Sequence, residues 1–380
     1  MTTVCHITSV HNSDDVRIFH KECATLAKNS YKVYLVAPGK NKKEKNVDVI
    51  GAGIMPNKRI ERMIKFTRKI YSIAIKVDAD IYHVHDPELL PFAAKLKKRG
   101  KKVIFDSHED YSTQIKTKNY LPQWLRGWAS FLYKKYETKV CKIIDAVIIP
   151  CTISGVNIFE KRSKRTIFID NYPLIEKTYQ KNTYKNNRTC CYVGALSYGR
   201  GITHLVKASP QVNGKLKIVG SFNNEEYEHR IKQMPEAQDV EFYGFLNRSE
   251  AQKIISQTTV GIATLLNVAQ YYKIDNFPTK TLEYMAMGLP VVISDYPFGV
   301  KEINRLKCGI CVNPENPKEI ADAINWLFDH PEEAETMGEN GKKAVVEKYN
   351  WKTQEKKLLA LYESLEQEMI YETNLKISNP

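Results

Sequence analysis

Short β-rich runs alternate with amphipathic helical stretches along the whole chain of 380 residues. This alternation is typical of doubly wound α/β domains with parallel sheets. A first series of strands is predicted at residues 4–10, 32–37, 47–51, 81–85, 102–107 and 146–150. A second series is predicted at residues 189–193, 216–220, 240–243, 260–263, 290–294 and 309–312.

The two series are separated by residues 171–188. This segment is polar, rich in Asn and Lys and without a sustained period, so it is predicted to connect two domains. We expect one Rossmann-like domain at residues 1–170 and a second at 171–350, followed by a long terminal helix within 351–380. Two such sheets of similar size predict a cleft between them, with the chemistry in strand-to-helix loops.

Composition narrows the class of protein. With 43% hydrophobic and 26% charged residues, an ordinary globular protein is predicted, and a soluble enzyme is the default class. No uncharged apolar run reaches the roughly 20 residues of a membrane-spanning helix, and a strand-like segment stands where a secretory signal would lie. The eight cysteines suit a reducing compartment. The sequence therefore predicts a cytosolic protein.

The charge is unevenly distributed along the chain. Residues 1–170 contain 32 Lys and Arg against 17 Asp and Glu, whereas the remaining residues contain 25 against 26. A sequence pI near 9.2 alone is compatible with nucleic-acid binding. A one-sided excess instead indicates one basic surface that faces an anionic partner, and no nucleic acid is expected.

The strongest local signal is carried by residues 275–292, DNFPTKTLEYMAMGLPVV. They predict a loop, a helix opened by Pro278 and a buried strand. Thr279, Lys280 and Thr281 lie at the amino end of this helix, where N–H groups and the helix dipole favour a phosphate. Glu283, one turn further, can accept hydrogen bonds from ribose hydroxyls. A solvated ion pair between Lys280 and Glu283 explains the same pattern equally well.

This segment resembles the retaining GT-B glycosyltransferases, particularly glycosyltransferase family 4, which carry an acid, seven residues, a Glu and then Gly-x-Pro. Glu283 matches the second acid, and Asp275 stands where the family usually has Glu. The resemblance implies that Glu283 binds the nucleotide ribose and Asp275 the donor sugar. It also implies the GT-B fold, two Rossmann-like domains facing across a cleft, with the terminal helix packed back on the first domain.

A second resemblance lies in residues 192–208, YVGALSYGRGITHLVKA. It is similar to the strand, glycine loop and helix that open the family's nucleotide domain, although the order of a dinucleotide fingerprint is absent. Gly194, Gly199 and Gly201 permit backbone approach to a diphosphate, and Arg200 adds a permanent charge. Ala195 stands where the family often has Arg, so Lys280 is expected to supply the second cation.

His108, in the segment FDSHED after a predicted strand, matches a family histidine near the donor sugar and the acceptor. A structural histidine is the alternative. The resemblance also points to Asp14, Asp15 or Arg17 as acceptor contacts, although the two acids can equally cap the helix that follows. Gly244 and Phe245 lie where the family reads the base, and packing explains the aromatic residue equally well.

Three patterns resemble metal sites. Asp78 and Asp80 have the spacing of metal-using GT-A transferases, and Cys308 and Cys311 have zinc-knuckle spacing without a second pair. His83 and His85 alternate along a strand, with no partner evident in the sequence. A structural role is favoured for each. No metal and no cofactor are expected, and the only small-molecule partner is a nucleoside diphosphate sugar as donor substrate.

Two helices of the basic half combine cations with apolar residues. At 100° per residue, one helical face carries the cations Lys58, Arg62, Lys65, Lys69 and Lys76. Trp124, Trp128 and Phe131 share a face of a second helix and are followed by lysines. Both patterns are typical of helices that lie on an anionic membrane surface, and solvated or core-covering faces are the alternative.

Together, the residues and the resemblance predict a retaining hexosyltransferase that moves a sugar from a nucleoside diphosphate to a glycan or lipid-linked acceptor, peripherally on the inner face of the membrane. His108, Arg200, Lys280 and Asp275 are the expected catalytic residues. A GT-B epimerase and a non-catalytic basic-surface binder are the rival interpretations. The sequence leaves open the base, the sugar, the acceptor, the linkage and the oligomeric state.

Overall fold

The structure is a computed structural model that describes residues 1–117, 121–175, 187–268 and 271–378, with side chains up to residue 375. The chain divides into two compact units. Unit 1 comprises Met1–Asn171 together with Trp351–Pro380, and unit 2 comprises Tyr172–Asn350. Each unit is built on its own sheet.

Unit 1 contains an eight-stranded sheet in the order β3-β4-β2-β1-β5-β6-β7-β8. All neighbours pair in parallel except β3 and β4. The central strands are buried on both faces, which explains their continuous apolar runs. The strands are β1 Thr3–Ile7, β2 Lys32–Ala37, β3 Lys42–Glu44, β4 Val47–Gly51, β5 Ile81–Val84, β6 Lys102–Asp106, β7 Ala146–Ile149 and β8 Thr166–Phe168.

Helices cover both faces of this sheet. The first helix has π-type turns over Val16–Cys23 and continues as α1, Ala24–Lys28. The predicted basic helix is irregular, because α-helical, π-helical and 3₁₀ segments follow one another. These segments are α2 Arg59–Glu61, Arg62–Phe66, α3 Thr67–Ala74 and Ile75–Val77. The remaining helices of this part are Pro87–Leu89 (3₁₀), α4 Leu90–Lys98, α5 Tyr111–Ile115 and α6 Gln123–Cys141.

Unit 2 contains a six-stranded parallel sheet in the order β11-β10-β9-β12-β13-β14. This is the 3-2-1-4-5-6 order of a dinucleotide-binding Rossmann sheet. The order reverses between β9 and β12, so the crevice for a ligand is expected at the carboxyl ends of these two strands. The strands are β9 Thr189–Val193, β10 Lys215–Val219, β11 Val240–Gly244, β12 Val260–Ala263, β13 Val291–Ser294 and β14 Gly309–Val312.

Apolar clusters on both faces of the unit 2 sheet form its core. The helix after β12 begins where Pro278 supplies a fixed φ and ends near Gly288, whose φ is 76°. The α-helices are α7 Ile202–Ala208, α8 Glu225–Lys232, α9 Arg248–Ser256, α10 Thr279–Ala286, α11 Pro297–Leu306, α12 Pro317–Asp329 and α13 Pro331–Glu347. The 3₁₀ segments are Tyr198–Arg200, Ser209–Gln211 and Pro235–Asp239.

The terminal helix α14, Trp351–Ser378, belongs to unit 1 although the chain reaches it from unit 2. Trp351 donates its indole N–H to Thr25 Oγ1 at 2.9 Å, which ties the start of α14 to α1. Leu358, Tyr362 and Leu365 are fully or almost fully buried. Within the described residues, no helix combines the length and the apolar character needed to cross a bilayer.

Candidate functional site

The first candidate site lies in unit 2, where β9 and β12 end and α10 begins. Lys280, in the first turn of α10, is buried, and its Nζ lies 3.5 Å from the centroid of the Tyr192 ring at the end of β9. A cation above an aromatic face is attracted by the ring quadrupole. Within the described part of the chain, Nζ has no hydrogen-bond partner. The sequence analysis predicted that this amine binds a phosphate, with an ion pair to Glu283 as the alternative. Among the described residues, Glu283 does not accept a hydrogen bond from it.

The protonation of Lys280 depends on what shares its site. Burial, and then the nearby charge of Arg200, hold the pKa of the Lys280 amine well below its ordinary value, although Glu283 acts in the opposite direction. An anion placed beside Nζ would restore the charge, because opposite charges at short range favour the ionised form. The site is therefore electrostatically incomplete without an anionic ligand.

Two threonine hydroxyls in this region also lack hydrogen-bond partners among the described residues. Thr281, in the first turn of α10, and Thr264, directly after β12, are fully buried, and neither Oγ1 has a partner among the described residues. Buried polar atoms in folded proteins are nearly always hydrogen-bonded, so unpaired ones mark a place where a ligand or water belongs. All three unpaired atoms lie at the topological switch point of the unit 2 sheet.

Glycines bring backbone close to this point. Gly201 has a φ of 75°, and a Cβ there would lie 1.9 Å from the carbonyl oxygen of Thr264. Gly194 has a φ of 140°, and its Cβ would lie 2.8 Å from Lys280 Nζ. The positive φ favours glycine at both positions, and at Gly201 the neighbouring backbone leaves no space for a side chain. The loop after β9 is thus packed directly against β12 and the Lys280 amine.

The other predicted donor-site residues lie on the same edge of the sheet. Arg200 is half-buried, with its guanidinium 5.0 Å from the centroid of the Tyr271 ring. Glu283 is half-buried in the second turn of α10, and Asp275 is half-buried in the loop before it. The remaining residues lie at the amino end of α10, in the loop after β9 and at the end of β11: Thr279, Gly199, Gly244 and Phe245.

A second candidate site is a cavity of ≈ 480 Å³ in unit 1. It lies at the carboxyl ends of β5 and β6 and the loop after β1, the edge where open α/β sheets bind ligands. Acidic, basic and hydroxyl side chains alternate around it, a lining suited to a polyhydroxylated ligand. The residues that define its chemistry are His11, Arg59, Asp86, Glu88, His108 and Tyr111.

His108 is held at the cavity wall by Asp106. Its Nε2 lies 3.3 Å from Asp106 Oδ2, and Asp106 is fully buried at the end of β6. Burial alone would raise the pKa of Asp106, but the charges of Arg17 and His108 and the hydrogen bonds of His108 and His85 hold it well below the ordinary value. Arg17 donates two hydrogen bonds to this carboxylate, at 2.8 and 3.0 Å. Asp106 is therefore ionised and fixed.

His11 faces His108 across the cavity, with the ring centroids 5.0 Å apart. Burial disfavours its charged form, but Asp15 at 3.2 Å and Asp86 at 3.6 Å outweigh that effect and raise the pKa of His11 above its ordinary value. The cavity thus contains an imidazole that carries a proton more readily than a free histidine does. Such a group donates hydrogen bonds from both ring nitrogens.

The structure places the three expected acceptor contacts elsewhere, because none of them lines the cavity. Arg17 is buried and bonded to Asp106. Asp15 accepts hydrogen bonds from the backbone N–H groups of Arg17 and Ile18, so it caps the first helix. Asp14 is exposed and lies 2.7 Å from Lys42. Asp15 therefore has the capping role that was the alternative. Arg17 instead fixes the Asp106 carboxylate, which in turn holds His108.

Comparison with known proteins agrees with this architecture. A family model described as Glycosyltransferase Family 4 matches residues 16–154, and one described as Glycosyl transferases group 1 matches residues 175–344. The fold is similar to that of HepE from Anabaena, solved with UDP and glucose, with a TM-score of 0.72 and 14% identity over 96% of this chain and 100% of HepE. The chain is a GT-B glycosyltransferase similar to family 4.

Curated relatives of this glycosyltransferase share modest identity. It is 27% identical over 265 residues to the glycosyltransferase MJ1607 of Methanocaldococcus jannaschii, a match that covers 67% of this chain and 64% of the relative. It is 22% identical over 289 residues to O-antigen chain mannosyltransferase C of Escherichia coli, covering 72% of each.

Sequence reasoning did not single out five of the six residues that define the chemistry of this cavity: His11, Arg59, Asp86, Glu88 and Tyr111. For Asp86 a signal was available, because it directly follows the predicted strand of His83 and His85 and so stands at a carboxyl end. Its Oδ2 accepts hydrogen bonds from Thr8 Oγ1 at 2.9 Å and from the Ser9 backbone N–H at 2.5 Å. Arg59 is brought to the cavity by tertiary packing, which no local pattern reveals.

The packing at Gly201 generates a test. Gly100 has nearly the same φ, 78°, but no atom lies within 4 Å of its Cβ position. We expect Gly100→Ala to lower the free energy of unfolding by the left-handed strain alone, about 1 to 2 kcal/mol. Gly201→Ala adds a backbone clash with Thr264 and should cost roughly 3 kcal/mol or more. Calorimetric unfolding of both variants checks this, and equal costs would contradict the close approach.

Proposed function

We propose that this glycosyltransferase transfers a sugar from a nucleoside diphosphate to a hydroxyl of a glycan or lipid-linked acceptor, with retention of anomeric configuration. The observation that carries the proposal is the buried, unpartnered amine of Lys280 at the amino end of α10. A diphosphate supplies the missing anion there, and the helix dipole adds to its binding. The reaction belongs to the synthesis of cell-surface polysaccharide or glycolipid.

The donor is assigned to unit 2. Lys280, Arg200 and the backbone near Gly199 and Gly201 bind the diphosphate, while Thr279 and Thr281 add hydrogen bonds. Glu283 binds the ribose hydroxyls, Asp275 the donor sugar, and the end of β11 at Gly244 and Phe245 contacts the base. HepE, of similar fold, was solved with UDP and glucose, which supports a uridine nucleotide as the first donor to test.

Transfer follows from the charge that these residues stabilise. As the bond between the sugar and the diphosphate lengthens, negative charge grows on the leaving phosphate. Lys280, Arg200 and the α10 dipole stabilise it, and a preorganised donor of this kind contributes about 2.7 to 4 kcal/mol. The acceptor hydroxyl attacks the same face of the sugar and passes its proton to the leaving phosphate. This scheme requires no metal at the donor site.

The acceptor is assigned to the unit 1 cavity. A volume of ≈ 480 Å³ is within the range of small-molecule sites, and the mixed acidic and basic lining suits sugar hydroxyls. His108, oriented by Asp106, is the expected catalytic residue of this unit. The relative from Escherichia coli is an O-antigen chain mannosyltransferase, which supports a glycan acceptor.

Helix α6 supports docking to a membrane. Trp124, Trp128 and Phe131 are 76%, 67% and 61% exposed, and with Lys135 they fall within about 60° on the helix. Exposed apolar residues that cluster on one face mark an interaction surface, and Trp and Lys together suit the headgroup region. The aromatic face of α6, defined by these three aromatic residues, is our proposed membrane contact on the inner leaflet.

The second helical surface supports the same docking. Ile60, Met63 and Ile64 are exposed, and so are Lys58 and Lys65. Arg62 departs from the expected basic stripe, because it lies 3.2 Å from Glu88 at the cavity. Arg59 donates to the hydroxyl of Tyr111 at 3.0 Å, and the Tyr111 ring packs 5.0 Å from Tyr133 of α6. Both proposed surfaces therefore adjoin the cavity, as a lipid-linked acceptor requires.

Substitutions in α10 test the donor assignment. Glu283→Gln should weaken UDP binding roughly 10- to 100-fold, the value of a hydrogen bond to a charged group. Lys280→Met should lower turnover roughly 100- to 1,000-fold and lower UDP affinity less, because its charge acts most strongly on the leaving phosphate. Calorimetry with UDP and a transfer assay measure the two effects.

His108→Ala in unit 1 is the matched control for these variants, because it should lose transfer and keep UDP affinity. Wild-type UDP affinity in Glu283→Gln would remove Glu283 from the ribose site. Unchanged turnover in Lys280→Met would refute the phosphate assignment.

The aromatic face of α6 is tested by changing Trp124, Trp128 and Phe131 to Ser together. Because each side chain transfers apolar area out of water, binding to vesicles of anionic phospholipid should fall by about tenfold or more. Sedimentation with such vesicles measures it. The control is Ile370→Ser with Tyr371→Ser, which removes similarly exposed apolar residues from α14 and should leave binding intact. Equal binding by both variants would contradict the assignment of this face of α6 as the membrane contact.

A further inference from the structure

Three histidines and one glutamate meet in the interior of unit 1. His6 lies on β1, and His83 and His85 lie on β5, or directly after it, on the same face of the sheet. The parallel pairing of β1 with β5 puts His6 opposite His83. Glu22 reaches them from the first helix. His6, His83 and Glu22 are 0% exposed and His85 is 2% exposed, so bulk water does not satisfy this cluster.

The four side chains present donor atoms at metal-site spacing. His6 Nδ1 lies 2.9 Å from His85 Nε2, and Glu22 Oε2 lies 3.9 Å from the first and 3.8 Å from the second. One atom from each of the four residues, His83 included, lies within 4.8 Å of the others. Ligand atoms of a tetrahedral zinc ion, bonded at about 2.0 to 2.1 Å, are roughly 3.3 Å apart. The three distances given above, 2.9, 3.8 and 3.9 Å, lie on either side of this value.

Two of the four residues have buried polar atoms without a hydrogen-bond partner among the described residues. His83 Nε2 is buried with no hydrogen-bond partner, and neither carboxylate oxygen of Glu22 accepts a hydrogen bond within the part of the chain that the structure describes. Glu22 forms an ion pair with Arg17, but a deeply buried nitrogen and a deeply buried carboxylate that accept no hydrogen bond remain costly. Both atoms are satisfied at once if a cation lies between them.

The charges of this interior are also unbalanced. The Arg17 guanidinium lies 3.2 Å from Glu22 and 2.8 Å from Asp106, so two buried carboxylates share one buried cation. A divalent ion held by Glu22 would balance the second carboxylate.

The outer nitrogens of the three rings already have partners of the kind that metal-binding histidines use. Tyr362 of α14 places its hydroxyl 2.9 Å from His83 Nδ1 and 3.3 Å from His6 Nε2. Asp106 lies 3.6 Å from His85 Nδ1. Such partners fix the tautomer and orient the ring so that its other nitrogen is available for an ion. The remaining ring nitrogens, His6 Nδ1, His83 Nε2 and His85 Nε2, are therefore the ones available for an ion.

We propose that His6, Glu22, His83 and His85 form a buried binding site for a divalent transition-metal ion, with zinc as the preferred occupant. Three imidazole nitrogens and one carboxylate oxygen are a ligand set that zinc accepts in tetrahedral geometry. The ion would be structural, because four protein ligands leave no open position. It would join β1, β5 and the first helix, and through His85 and Asp106 it would fix the wall that carries His108.

This inference departs from the sequence analysis, which expected no metal. That expectation rested on the absence of a partner for His83 and His85 in the sequence. The partners are 77 residues upstream of His83 and on a separate helix, and only the pairing of β1 with β5 brings them together. The donor site in unit 2 plays no part in the argument, so the two proposals can fail separately.

The test is the metal content of the full chain, purified without a polyhistidine tag and without chelators, by plasma mass spectrometry. We expect about one transition-metal ion per chain. His83→Gln, which can still hydrogen-bond to Tyr362, should reduce this to a small fraction. His229→Gln changes an exposed histidine of α8 and is the matched control that should keep the ion.

A second measurement covers the case in which His83→Gln fails to fold. The wild-type chain is stripped with a chelator and titrated with Co²⁺, whose visible absorption reports four-coordinate binding. Saturation near one equivalent, reversed by Zn²⁺, supports the site. A metal-free purified chain that shows no such absorption, and whose unfolding temperature is unchanged by Zn²⁺, would overturn the proposal.

Discussion

The amine of Lys280 lies buried against the ring of Tyr192, and it has no hydrogen-bond partner among the described residues. The donor-site proposal depends on this amine. A lysine is rarely buried without a partner, since desolvation of its charge is costly. The left-handed Gly201, the close approach of Gly194 and the unpaired hydroxyls of Thr264 and Thr281 have the same explanation. In our proposal, all of them belong to a site that a diphosphate completes.

The polar groups of unit 1 are arranged differently from those of unit 2, although both units are built on a Rossmann-like sheet. Its sheet also gathers polar groups at the carboxyl ends of central strands, and those at the cavity wall are held by ion pairs and hydrogen bonds with one another. Arg17 holds Asp106, and Asp106 orients His108. The result is a fixed, mixed-charge cavity that suits hydroxyl groups better than a phosphate. This division of chemistry between two Rossmann-like sheets agrees with a transferase, which must bind two unlike substrates.

Much of this could be predicted from the sequence, because parallel strands buried on both faces leave an unmistakable apolar run. All twelve predicted strands are present, within a few residues at their ends. β3 was missed because its residues, Lys42–Glu44, are charged, and β8 because it has three residues. The donor residues are local in sequence and were named. The cavity and the histidine cluster depend on contacts between distant strands, which no local period encodes.

The most direct test of the account is the proton balance of UDP binding. Calorimetry at about pH 8, above the second phosphate pKa of roughly 6, in buffers of different ionisation enthalpy measures it. Burial holds the pKa of Lys280 low in the free protein, and the diphosphate would raise it, so binding should take up a proton and weaken as the pH rises. Lys280→Met should abolish the uptake. Binding with no proton uptake, or equal uptake in that variant, would contradict the account.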